Sequence, residues 1–173
     1  MGVGYHASVA LYVIGLSIRD AYELLKRSHR VDATNATVFS VVLTSMCVMW
    51  LCWFAIGALS PTRFEMPSFV RWAGIGALLV GTAVSVGGMW QLGGVENIDH
   101  LVRAGLFSKV RHPMYVGFIL WILGWCAWMA APANLLLAPL GIASVLWWRA
   151  LEESELALRY GGEFLAYRAS TWF

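Results

Sequence analysis

Charge is what this chain has least of. Only 13% of its 173 residues are Asp, Glu, Lys or Arg, about half the share of an ordinary soluble domain. Against that, 60% are hydrophobic and the mean hydropathy is +0.67. So thin a polar coat cannot cover a water-soluble core, which places the chain in a bilayer. Cysteine is also scarce. Cys47, Cys52 and Cys126 all lie in apolar runs, and an odd count without C-x-x-C spacing excludes a disulfide framework and a structural zinc site, leaving packing as their role. His6, His29 and His100 are scattered without ligand spacing, so no metal site is expected. No basic run interleaved with aromatics is present, which argues against a nucleic-acid partner. Gly93-Gly94 lacks the strand-to-helix setting of a phosphate cradle. No Lys or Arg precedes the first apolar stretch, so that stretch reads as retained rather than as a cleaved signal.

What the chain does have is long apolar runs. A spanning helix needs roughly 17 to 25 mainly apolar residues, and residues 4–18, 36–59, 69–91, 114–129 and 134–148 meet or approach that length. The first run continues through 19–30 as an amphipathic helix with Tyr22, Leu24 and Leu25 among charges, and Asp32 or Thr34 stands ready to cap the second. The reading is an all-α, polytopic transmembrane bundle of about five spans. Residues 1–100 supply three of them and residues 101–173 the rest, the last two joined by Ala130-Ala-Pro-Ala-Asn134 as a tight helical hairpin. Ala73, Ala77, Gly81 and Ser85 recur every four residues and predict a small-residue stripe for close helix packing within one chain or between two, leaving the oligomeric state open. Alternating sides puts ten of the 12 Lys and Arg residues in one set of loops and only Arg63 and Arg71 in the other. By the positive-inside rule the amino terminus is then outside and the carboxyl end cytoplasmic.

Two polar groups fall on that cytoplasmic side. In Arg111-His112-Pro113-Met114-Tyr115-Val116-Gly117, Pro113 suits the first turn of the fourth helix, where its missing N–H costs nothing. The free amides and dipole of that turn favour an anionic or polar ligand, Arg111 supplies a planar fork, and His112 and Tyr115 supply rings with polar handles. Glu152-Glu153 follows the apolar run ending at Trp148, with Arg149 one turn before Glu153. Each group admits two readings: an interfacial anchor and a surface helix pair, or one ligand site where a span emerges. Phe118, Trp121, Trp125 and Trp128 share one helix face, which suits packing or lipid contact better than a substrate path.

Over residues 101–167 the chain resembles the isoprenylcysteine carboxyl methyltransferases and related phospholipid methyltransferases. Leu101-Val102, Gly105, Arg111-His112-Pro113, Tyr115, Gly117, Glu152-Glu153, Leu156, Gly161 and Tyr167 fit in the family's order, while Phe107 and Phe164 stand where tyrosine is common. The resemblance implies an S-adenosylmethionine pocket at the cytoplasmic face. Leu101, Val102, Arg111, His112, Pro113, Met114, Tyr115 and Gly117 would surround it, with a carboxylate of Glu152 or Glu153 on the cofactor. Arg149 occupies the position associated with the substrate's acidic group, and His112 is the one evident general base.

The function so implied is an integral membrane, S-adenosylmethionine-dependent methyltransferase. Its acceptor would be small or lipid-like: a prenylated cysteine carboxylate, a phospholipid amine or a thiol. Two alternatives stand beside it. One is an NADPH-dependent membrane reductase of the steroid-reductase-like type, with Arg103, Lys109 and Arg111 on the dinucleotide phosphates. The other is a non-catalytic membrane scaffold. Membrane lipids are expected partners in every case.

Overall fold

The computed structural model describes residues 2–28, 30–32, 35–93 and 100–173. Six helices make up the described fold: α1 (Val3–Arg27), α2 (Ala36–Ala58), α3 (Ser68–Leu92), α4 (Pro113–Met129), α5 (Pro132–Tyr160) and α6 (Gly162–Ser170), with one 3-10 turn over Gly105–Ser108. The chain is a helical membrane bundle. Helices α2, α3 and α5 are long and apolar enough to cross a bilayer, while α4 is as apolar but only 17 residues long. Helix α1 runs 25 residues and carries Arg19, Asp20, Glu23, Lys26 and Arg27 in its second half. Its expected amphipathic continuation is thus one unbroken helix with the first apolar run. His29 and Thr34 lie outside the described residues.

Local chemistry sets the helix ends. Asn35, rather than Asp32, caps α2: its side chain accepts from the amides of Thr37 at 2.9 Å and Val38 at 3.2 Å. At the other end Arg63 donates to the carbonyls of Gly57 at 3.4 Å and Ala58 at 3.2 Å, satisfying acceptors a helix terminus leaves open. Gly93 closes α3 in the left-handed region at φ 77°, while Gly94 lies outside the described residues. Pro113 and Pro132 open α4 and α5, and only Ala130 and Ala131 separate those two helices, so the predicted hairpin forms.

Helices α3 and α4 form the closest pair. The stripe follows Gly74, Gly81, Ser85 and Gly88 rather than the sequence-predicted Ala73 and Ala77, and Ala73 is exposed. Backbone contact decides the difference: a Cβ on Gly74 would sit 2.7 Å from the Gly124 carbonyl oxygen, and one on Gly81 would sit 2.9 Å from that of Gly117. Helices α1 and α2 pair in the same manner, with Gly15 against Met49. Between the two pairs lies a core including Tyr12, Met49, Trp53, Phe118, Ile122 and Trp148. Of the aromatic face on α4, Phe118, Trp121 and Trp125 pack against Trp50 and Phe54 of α2, and Trp128 meets Trp72 of α3. Asn134 of α5 donates to the Trp53 carbonyl at 3.0 Å, a polar tie inside the apolar layer. Cys52 and Cys126 are buried there, whereas Cys47 is exposed. The outer faces present Leu51, Trp72, Leu79, Trp90 and Leu136, as a lipid-facing surface should.

Helix α5 has 29 residues and is therefore about 44 Å long, against roughly 30 Å of hydrocarbon. Its turns after Trp148 extend beyond the apolar layer, and they carry the paired glutamates. Helix α6 folds back beneath them, burying Phe164 and Tyr167.

Candidate functional site

The amino end of α4 meets the extended end of α5. His112 is the residue before the first turn of α4, and its ring, only 4% exposed, lies between the two glutamates. Nδ1 is 3.6 Å from Glu152 Oε2 and Nε2 is 3.3 Å from Glu153 Oε1. The second approach is out of line, leaving Nε2 buried without a hydrogen bond. Tyr115, one turn on, stacks on the imidazole with ring centres 5.5 Å apart and planes 17° from parallel.

The two carboxylates are not equivalent. Glu153 Oε1 accepts from Arg111 Nε at 3.1 Å and Arg149 Nε at 3.2 Å, and Arg168 Nε lies 3.6 Å from Oε2. With a side chain 9% exposed, Glu153 is the internal hub of the cluster. The adjacent His112 ring and then the guanidinium groups of Arg111 and Arg149 outweigh burial and hold its carboxyl at about 2. Glu152, in contrast, has a side chain 43% exposed and faces outward from the His112 ring. Burial alone would pull the His112 pKa down, but Glu152 and Glu153 reverse this and leave it raised, so the imidazolium is favoured.

Arg111 does more than meet Glu153. Its Nη1 donates to the carbonyls of Thr171 at 2.6 Å and Arg168 at 3.1 Å and to Thr171 Oγ1 at 3.2 Å, fastening the last residues beneath the site. Arg111 N–H donates to the Trp172 carbonyl and Trp172 N–H to that of Lys109. Tyr167 donates to the Phe107 carbonyl at 2.6 Å, so one of the two phenylalanines at tyrosine-prone positions serves through its backbone. Arg149 is covered as well, its guanidinium lying 4.4 Å from the centre of the Phe173 ring.

Of the other expected cofactor residues, Met114 and Tyr115 are half-buried beside this cluster, and Leu101 and Val102 are half-buried in the irregular segment leading to the 3-10 turn. Pro113 packs on Gly88 of α3. Gly117 faces Gly81 and Ser85 of α3, so its lack of a side chain serves helix packing rather than a ligand.

Helix α1 adds groups that sequence reading did not single out. Asp20 accepts from Trp148 Nε1 at 2.7 Å and from Ser144 Oγ at 3.3 Å. Arg19 and Glu23 form a buried i,i+4 ion pair, and the Arg19 guanidinium lies over the rings of Trp148 at 5.0 Å and Tyr22 at 5.4 Å. Lys26 pairs with Glu155 at 3.2 Å and Arg27 donates to Ser154 at 3.1 Å, so the basic ends of α1 and α5 share one end of the bundle. The available signal was three ionisable residues at 19, 20 and 23 within an apolar helix. Arg19 and Tyr22 also border an apolar slot between α2 and α4, walled by Phe39, Met46, Met114 and Phe118 and touching Tyr115.

A family model described as phospholipid methyltransferase matches residues 69–163. No curated protein and no solved structure matches the chain.

Proposed function

The chain belongs to the phospholipid methyltransferase family, and from that premise we propose that it transfers a methyl group from S-adenosylmethionine to a lipid-like acceptor at the membrane surface. The observation that carries this reading is the division of labour around His112, where Glu153 is consumed by arginines while Glu152 stays half-exposed beside a buried, unbonded ring nitrogen.

These residues suit the cofactor. A half-exposed carboxylate can accept from ribose hydroxyls or an ammonium group, the orphaned His112 Nε2 can donate once its ring adjusts, and the faces of Tyr115 and His112 suit a sulfonium. Leu101, Val102 and Met114 offer apolar walls. When bound, S-adenosylmethionine would supply an electrophilic methyl group to an acceptor lone pair, with the thioether as leaving group. The protein's part is to orient and to exclude water: His112 fixes the Glu152 carboxylate, Glu153 with Arg111 and Arg149 fixes the end of α5, and the apolar slot brings the acceptor from the bilayer. An amine or thiol acceptor must lose a proton around transfer, for which His112, its pKa raised by the flanking glutamates, is the nearby titratable group, whereas a carboxylate needs no base.

The basic residues gathered at this end of the bundle support a cytoplasmic site with the amino terminus outside. The test is transfer of isotope-labelled methyl from S-adenosylmethionine into extracted membrane lipids by purified protein. Label in a lipid fraction, lost in Glu152→Gln, supports the proposal; no label in any fraction, from protein shown to be folded, defeats it.

A further inference from the structure

The resemblance assigns the acceptor's acidic group to Arg149, yet the cation that borders the apolar slot is Arg19 of α1. We infer that Arg19 binds the anionic group of the acceptor, a phosphate or carboxylate beside the reacting atom, and is a specificity-determining residue contributed by a helix outside the matched family segment. This inference rests on the methyl-donor reading above and assigns its acceptor side.

Three observations carry it. First, position: Arg19 is the one cationic side chain among the described residues lining the slot, whose walls run from Phe39 and Met46 on α2 to Phe118 on α4 and reach Met114 and Tyr115 next to His112. An apolar chain lying in that slot from the bilayer would bring its head to Arg19 and Tyr115 together. Second, three other arginines of this end, Arg111, Arg149 and Arg168, converge on one carboxylate. Arg111 and Arg149 both donate to Glu153, Arg168 approaches it, and Phe173 covers Arg149. Third, preorganisation: a guanidinium whose side chain is only 11% exposed is costly to bury, and this one is held by Glu23 and the rings of Tyr22 and Trp148. Asp20 in turn fixes Trp148 through its indole N–H. Glu23 is thus a positioning residue that keeps Arg19 in place between turnovers. A guanidinium has five donors in a planar fork and can bridge two anions, which a lysine at the same place cannot reproduce. The Arg19–Glu23 pair lies within α1 and only the Trp148 ring links it to α5, so the pair sets the guanidinium at the border of the slot.

The experiment is steady-state methyl transfer by the full chain in mixed micelles, with an aminophospholipid and a prenylated cysteine as separate acceptors. S-adenosylmethionine affinity and thermal unfolding are measured alongside. Arg19→Gln is expected to raise the acceptor KM by about tenfold or more, leaving cofactor affinity unchanged, as loss of a charge-assisted contact should. Arg19→Lys is expected to fall between, because it keeps the charge and loses the fork. If the glutamine variant does not fold, the lysine variant reads the same quantity, and an unchanged acceptor KM in it overturns the proposal. Wild-type transfer to the aminophospholipid alone identifies the anion as phosphate, and transfer to the prenylated cysteine alone identifies it as carboxylate. Either result with an Arg19-dependent KM supports the inference. An acceptor KM that responds to Arg149→Gln and not to Arg19→Gln overturns it, as does transfer to neither acceptor by protein that binds S-adenosylmethionine. Absence of cofactor binding in the wild type would instead overturn the methyl-donor reading, and this inference with it.

Discussion

Replacing Glu153 by glutamine should cost more than any other single change at the site. Its Oε1 receives Arg111 and Arg149 and lies 3.3 Å from His112 Nε2, and the Arg111 and His112 side chains are only 7% and 4% exposed. Glutamine fills the same space but removes the charge, leaving those cations buried without their counter-ion. The depression of the Glu153 pKa from 4.5 to about 2 corresponds to about 3 kcal/mol at roughly 1.4 kcal/mol per unit. That agrees with the roughly 3 to 5 kcal/mol lost when one partner of a buried pair is removed. The sign follows from the direction of the shift. A lowered carboxyl pKa contributes stability that is fully present above 4.5 and is lost as pH falls toward about 2. Reversible unfolding of wild-type and Glu153→Gln protein in mixed micelles should therefore differ by about 3 kcal/mol at pH 7, and the gap should close between pH 4.5 and 2. A difference below about 1 kcal/mol at neutral pH, or a gap that widens on acidification, would refute Glu153 as the electrostatic hub.

Other consequences are separable from this one. Glu152→Gln, at a side chain 43% exposed, should destabilise less than Glu153→Gln, losing only the Glu152 part of the His112 pairing, while weakening S-adenosylmethionine binding by about tenfold or more, as read by calorimetry. The raised His112 pKa means that its contribution to stability is complete below 6.5 and fades as pH rises through the raised value, so a stability–pH profile should fall on the alkaline side in wild type and flatten in His112→Gln. Gly124→Ala places a Cβ 2.7 Å from the Gly74 carbonyl oxygen and should cost about 1 to 3 kcal/mol by forcing α3 and α4 apart, which a melting curve would show.

The elements were legible wherever a strong local signal set them. Apolar run length gave α2 and α3 nearly to the residue, and Pro113 marked the start of α4, while α5 begins at Pro132, two residues before the run expected from 134. The end of α5 was not legible, because a run of charges after Trp148 reads as leaving the membrane. The helix instead continues to Tyr160, held by α1 and α6. The packing stripe was met at Gly81 and Ser85 but missed at Ala73 and Ala77 for a related reason: small side chains occur on two faces of α3, and only the partner backbone of α4 decides which one closes. At the site, the juxtaposition of 111–115 with 152–153 could be read as a motif. The inequality of the two glutamates could not, since it depends on where Arg111, Arg149 and Arg168 converge. Arg19 and Asp20 looked like part of an amphipathic tail because Trp148, which both meet, and Ser144, which Asp20 meets, lie more than a hundred residues away.

The most direct measurement is calorimetric titration of purified protein with S-adenosylmethionine, and separately with NADPH, for the wild type, Glu152→Gln and His112→Ala. Saturable binding of S-adenosylmethionine alone, lost in both variants, is the predicted result. Binding of NADPH in its place, or of neither by protein shown to be folded, would contradict the assignment of this cluster as a methyl-donor site.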